Sequence, residues 1–149
     1  MAVEPVPKGF HTVTPFLSLS GVAQLIDFLK EAFDAKEMHR SMRPDGTVMH
    51  AQVRIGDSPV MMGEIWGDFK AKPAAMYLYV PNTDELYRRA IAAGATSIQE
   101  PTDAFYGDRN AGVRDFAGNE WWIATHIEDV LPEELERRAA EAMKRRERG

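Results

Sequence analysis

The chain has 149 residues, 44% hydrophobic and 28% charged, which suits one globular domain or two small modules sharing a core, not a disordered chain. Its formal net charge of −5 argues against the basic face that nucleic-acid binding needs. With no cysteine, disulfides, thiol nucleophiles and thiolate metal sites are excluded.

The first eleven residues read as a loose arm with two prolines and no charged-then-apolar leader. No apolar run approaches membrane-spanning length, so the expectation is a soluble, cytoplasmic protein with no membrane partner. Thr14–Leu19 alternates and reads as a strand, with Pro15 at its entry. Ser20 suits a helix N-cap, and Val22, Leu25, Ile26, Leu29, Ala32 and Phe33 follow on one helical face. Glu37–Met42 is a short strand candidate, and Arg43–Gly46 has turn composition. Val48–Ile55 alternates, with Met49, Ala51, Val53 and Ile55 on one side and His50, Gln52 and Arg54 on the other. Gly56–Ser58 turns the chain into a strand at Pro59–Met62.

The same order then recurs. Ala75–Val80 is a strand, Asn82 caps a helix with Glu85 at its third position, and Gly94 stops it. Thr96–Gln99 reads as a strand. Tyr106–His126 reads as a hairpin turning at Phe116–Asn119. Trp121 and Trp122 are adjacent on its second arm, so they point to opposite faces. One enters the core and the other lines the opposite face. An offset of 61 residues relates the halves, carrying Leu17 to Leu78 and Met62 to Ile123. The fold class is therefore α+β: two βαβββ modules, about Thr12–Trp66 and Ala74–His126, with curved half-barrel sheets. The division places one domain at residues 1–127 and a helical extension at 128–149. That extension opens on Pro132 and carries a narrow stripe of Leu135, Ala139, Ala142 and Met143.

Paired βαβββ modules resemble the vicinal oxygen chelate superfamily of glyoxalases, bleomycin-resistance proteins and extradiol dioxygenases. The PhnB-like branch is the nearest likeness. It is carried by Thr14-Pro15-Phe16-Leu17, Met49-His50-Ala51, Gly107-Asp108-Arg109, Val113-Arg114-Asp115, Gly118 and Trp121–His126. The Glu128–Glu134 extension matches too. Metal-using members place four His, Glu or Gln ligands on the first and last strands of each module. Carried over, those positions are Thr14, Met61, Ala75 and Trp122, a poor set for zinc, magnesium or manganese. The expectation is no metal and no cofactor. Nothing in the spacing joins His50, Glu64 and His126 into a displaced site.

The resemblance also implies a homodimer with exchanged modules, whose concave faces enclose a cleft. Strand parity lines it with Thr14, Phe16, His50, Gln52, Met61, Tyr77, Tyr79, Tyr106 and Trp122, the makeup of a small-molecule site. A planar or cationic ligand is the expected occupant, and the expected catalytic set is empty. Two alternatives stay open. One is a lyase, isomerase or dioxygenase, metal-dependent or using His50 as base; the other is a structural or interaction protein whose aromatics simply fill the cleft. Arg109 meets either an anionic ligand or a surface carboxylate, and Asp115 bonds the turn amides.

Overall fold

The computed structural model describes residues 2–148. The first module runs β1 (Phe16–Leu19), α1 (Val22–Phe33), β2 (Lys36–Met42), β3 (Val48–Ile55) and β4 (Ser58–Glu64). The second runs β5 (Ala75–Tyr79), α2 (Thr83–Ala92), β6 (Thr96–Asp103), β7 (Asp108–Arg114) and β8 (Glu120–His126). Helix α3 (Pro132–Arg148) follows. Each module forms one mixed sheet, ordered β1-β4-β3-β2 and β5-β8-β7-β6, with β1–β4 and β5–β8 parallel. Neither sheet closes into a barrel.

The core lies where the helices cover the sheets. Helix α1 buries Val22, Leu25, Ile26, Leu29 and Phe33 against Leu17, Leu19, Val53 and Met62. Trp121 is the tryptophan that goes inward, at 1% exposure, and its ring sits 5.6 Å from that of Phe33, joining the modules. A buried tryptophan removes ~150–250 Å² from water, worth at most ~4–6 kcal/mol. Arg89 of α2 reaches across to Asp34 at 2.7 Å, but that pair is exposed and adds ~0–1 kcal/mol. Apolar burial holds the modules together.

The register shows the repeat directly. Phe16 faces Met61 across β1–β4, and Tyr77 faces Trp122 across β5–β8, so both partners are shifted by 61 (77 − 16, 122 − 61). The offset is not constant, however. Ala51 pairs with Met62 and Ala111 with Ile123, which makes the shift 60 on β3 (111 − 51) and 61 on β4 (123 − 62). The reversal after β7 is longer by one residue, Phe116–Gly118 against Gly56–Asp57.

Several boundaries differ from the sequence reading. Strand β1 begins at Phe16, not Thr14, because Pro15 has no N–H to extend the ladder; only its carbonyl pairs, with the Met61 amide. Ser20 does not cap α1. Gly21 stands at the N-cap with φ 97°, and the Glu64 carboxylate takes the amides of Gly21 and Val22 at 2.7 and 3.1 Å. Glu64 is thereby committed to the helix N-terminus, where its charge also meets the dipole favourably. Strand β6 runs to Asp103, tolerating Pro101 as an edge strand with two register shifts. Asn82 caps α2 through the Glu85 amide, and Gly94 follows its end with φ 109°.

Candidate functional site

On β5, Tyr77 and Tyr79 alternate with the core residues Met76 and Leu78, so both phenols stand on the face away from α2. Trp122 is next to Tyr77 in register, and Gly112 of β7 is next to Trp122. The indole lies flat over that glycine: a Cβ at 112 would sit 2.8 Å from the ring. Trp122 is half-buried, with Nε1 donating to Glu120 at 3.3 Å. Tyr77 and Tyr79 remain 43% and 66% exposed, and their rings make an edge contact at 5.3 Å.

A polar network underlies these rings. Asp108, at the start of β7, is 3% exposed. Its Oδ2 accepts from Tyr77 at 2.8 Å and Tyr79 at 2.9 Å, and its Oδ1 meets His126 Nδ1 at 2.9 Å. Asn110, two residues on, bonds Tyr106 at 2.5 Å and Gln99 at 2.7 Å. Tyr106 joins the group from the turn before β7. Burial works to raise the Asp108 pKa, but the bonds from His126, Tyr77 and Tyr79 outweigh it and hold the carboxyl below its ordinary range. His126 is raised by Asp108 and then by Asp129, whose Oδ1 lies 2.7 Å from Nε2. Tyr77 is raised first by burial, Tyr79 first by its bond to Asp108. The phenols therefore stay protonated and donate to the carboxylate.

The first module's concave residues form a separate group on the other sheet. Phe16, Met61 and Gln52 share one row across β1, β4 and β3. The His50 ring stacks on Phe16 at 6.1 Å, and its Nε2 lies 3.4 Å from the Gln52 amide nitrogen. Thr14 stands before the strand, its hydroxyl donating to the His11 carbonyl at 3.4 Å. An open cleft of about 1450 Å³ runs between the modules, lined by Tyr77 and Tyr79 together with Phe33, Val60, Leu78 and Trp121; Phe16, His50, Gln52, Met61, Tyr106 and Trp122 do not line it.

The family model for the Glyoxalase/Bleomycin resistance protein/Dioxygenase superfamily matches residues 11–123. This chain belongs to that superfamily. An uncharacterised protein of Mycobacterium bovis is 31% identical over 135 residues, covering 83% of this chain and 89% of its own. The fold is shared with TioX from Micromonospora sp. ML1, at TM-score 0.63 and 24% identity over 77% of this chain and 99% of that one. A PhnB protein from Bacillus cereus shares it at TM-score 0.56 and 16% identity, over 77% and 99%.

The superfamily's metal-using members make the donor set worth testing. The positions that the resemblance carries over for the ligands are Thr14, Met61, Ala75 and Trp122. Thr14 is turned to a carbonyl, Ala75 has no donor atom, and the indole nitrogen of Trp122 is an N–H aimed at Glu120. A divalent ion that wants imidazole or carboxylate does not fit there. Elsewhere, no group of three His, Asp or Glu side chains among the described residues is placed to hold a metal ion.

Asp108, Asn110 and His126 lie outside the set that strand parity selects for the cleft. The signal was present: 108, 110 and 112 alternate on the strand opposite Trp122. Gly107 and Gly112 interrupt the first arm of the hairpin, so no apolar alternation marks which face these side chains take. Arg109 itself points to the helix side and pairs with Asp84 at 3.1 Å and Asp103 at 2.9 Å, the surface pairing that was one of its two readings.

Proposed function

We propose that this member of the superfamily is a metal-independent small-molecule-binding protein, cytoplasmic and homodimeric, holding a planar or cationic ligand between aromatic side chains. The observation that carries the reading is the alignment of Tyr79, Tyr77 and Trp122 on one exposed face above a buried, ionised Asp108. Aromatic faces attract cations by ~0.5–2 kcal/mol each, and a desolvated carboxylate below them adds to that field. The ligand-lining set is Phe16, His50, Gln52, Met61, Tyr77, Tyr79, Tyr106 and Trp122, with Thr14 at its margin.

The dimer part of the reading rests on exposure. In one chain Phe16, Tyr77 and Tyr79 are 54%, 43% and 66% exposed, too open to enclose the ~300–1,000 Å³ of a small-molecule site. A second subunit, exchanging modules so that the face of Phe16 and His50 opposes that of Tyr77 and Trp122, would close such a volume. The enzyme reading has less support. Among the described residues the hydrogen-bonding partner of His50 is the Gln52 amide, which gives no carboxylate to orient it as a base.

Titration of tryptophan fluorescence with a panel of planar cations and antibiotics tests the reading. Saturable quenching without product formation, lost in Trp122→Phe, is expected. An unchanged signal across the panel counts against it.

A further inference from the structure

We infer that the face of Tyr77 and Tyr79 selects its ligand by hydrogen-bond donors: it takes a planar ring bearing N–H groups, such as an amidinium, and discriminates against quaternary ammonium and acceptor-only rings of the same size. This rests on the binding reading above and narrows its ligand class.

The argument is a count of protons. A phenol has one proton and two lone pairs, and an ionised carboxylate only accepts. Tyr77 and Tyr79 both reach the same oxygen of Asp108, at 2.8 and 2.9 Å. Each phenol's only proton is therefore spent inward. One lone pair of Tyr77 accepts from Asn110 Nδ2 at 3.3 Å, so what remains is one lone pair on Tyr77 and two on Tyr79.

The carboxylate that fixes this orientation is out of a ligand's reach, at 3% exposure, with its second oxygen against His126. The phenols are not out of reach, since Tyr79 is 66% exposed. The face thus presents two adjacent acceptors backed by a buried negative charge. A ligand N–H satisfies an acceptor and meets that charge. A quaternary ammonium meets only the charge and the ring faces. A neutral acceptor group is set lone pair against lone pair. Charge alone does not make this distinction; the direction of the two O–H bonds does.

Calorimetric titration of the full chain with benzamidine, phenyltrimethylammonium and benzonitrile tests the inference. Benzamidine is expected to bind at least tenfold more tightly than either of the others. Tyr79→Phe, which removes one acceptor from an exposed position, is expected to weaken benzamidine three- to tenfold and leave phenyltrimethylammonium unchanged. Asp108→Ala, where it folds, removes the shared acceptor, frees both phenol protons and is expected to erase the preference. Equal binding of benzamidine and phenyltrimethylammonium, with no effect of Tyr79→Phe, overturns donor selection and leaves the aromatic binding site standing. Failure of all three probes to bind removes the binding reading itself, and this inference with it.

Discussion

The indole of Trp122 lies against the α-carbon of Gly112, close enough that a single methyl at 112 would stand 2.8 Å from the ring. The glycine is thus part of the binding face, because it lets the Trp122 ring lie flat across the sheet. Gly112→Ala is expected to tilt the indole, shift its emission and lower stability by about 1–3 kcal/mol, the usual range for overpacking. Denaturant unfolding and the emission maximum, measured together, check this. Unchanged values for both would mean that the ring moves freely.

His126 predicts a pH dependence of stability. Its folded pKa is raised by Asp108 and Asp129 above the unfolded value of about 6.5. The stabilisation is therefore complete below about pH 6.5 and is lost as pH rises through the folded pKa. Asp108 acts at the other end. Its pKa is lowered, so its contribution is present above about pH 3.9 and lost as pH falls through the folded value. The thermal midpoint should decline from pH 6 to pH 9, and His126→Gln should flatten that decline. A midpoint as pH-sensitive in the variant as in the parent would assign the dependence to another group.

Asp115 holds the last hairpin. The 5% exposed carboxylate accepts from the amides of Ala117 and Asn119 and, at 2.9 Å, from the indole of Trp121. Asp115→Ala leaves several donors unmatched and should cost about 3–5 kcal/mol, each unmatched buried group costing ~1–3. Asp115→Asn keeps an acceptor and should cost less. Equal losses in chemical denaturation would show that charge, not the acceptor count, holds the turn.

Much of this architecture is legible in residue order. Alternation in Val48–Ile55, the helical spacing of Val22–Phe33 and the Trp121–Trp122 pair give the strands, the helix face and the inward and outward tryptophans. The family motifs supply the fold. Long-range capping is less legible: Glu64 satisfies an amide 43 residues away in sequence, at Gly21, and no local pattern announces it. The acidic centre of the site was hidden for a different reason. The hairpin reading puts Asp108 on its first arm, but Gly107 and Gly112 interrupt that arm and no apolar alternation marks its two faces. Counting back by twos from Gly112 assigns the face, once that glycine is known to face Trp122.

The account's central claim is that aromatic rings above a buried carboxylate bind a ligand without a metal ion. The direct measurement is the affinity for a saturating probe, read from tryptophan quenching before and after exhaustive dialysis against a chelator, with metal content determined on the same samples. The account predicts the same Kd in both, with metal far below one equivalent per chain. One equivalent of metal, with binding abolished by its removal and restored by its return, would contradict it.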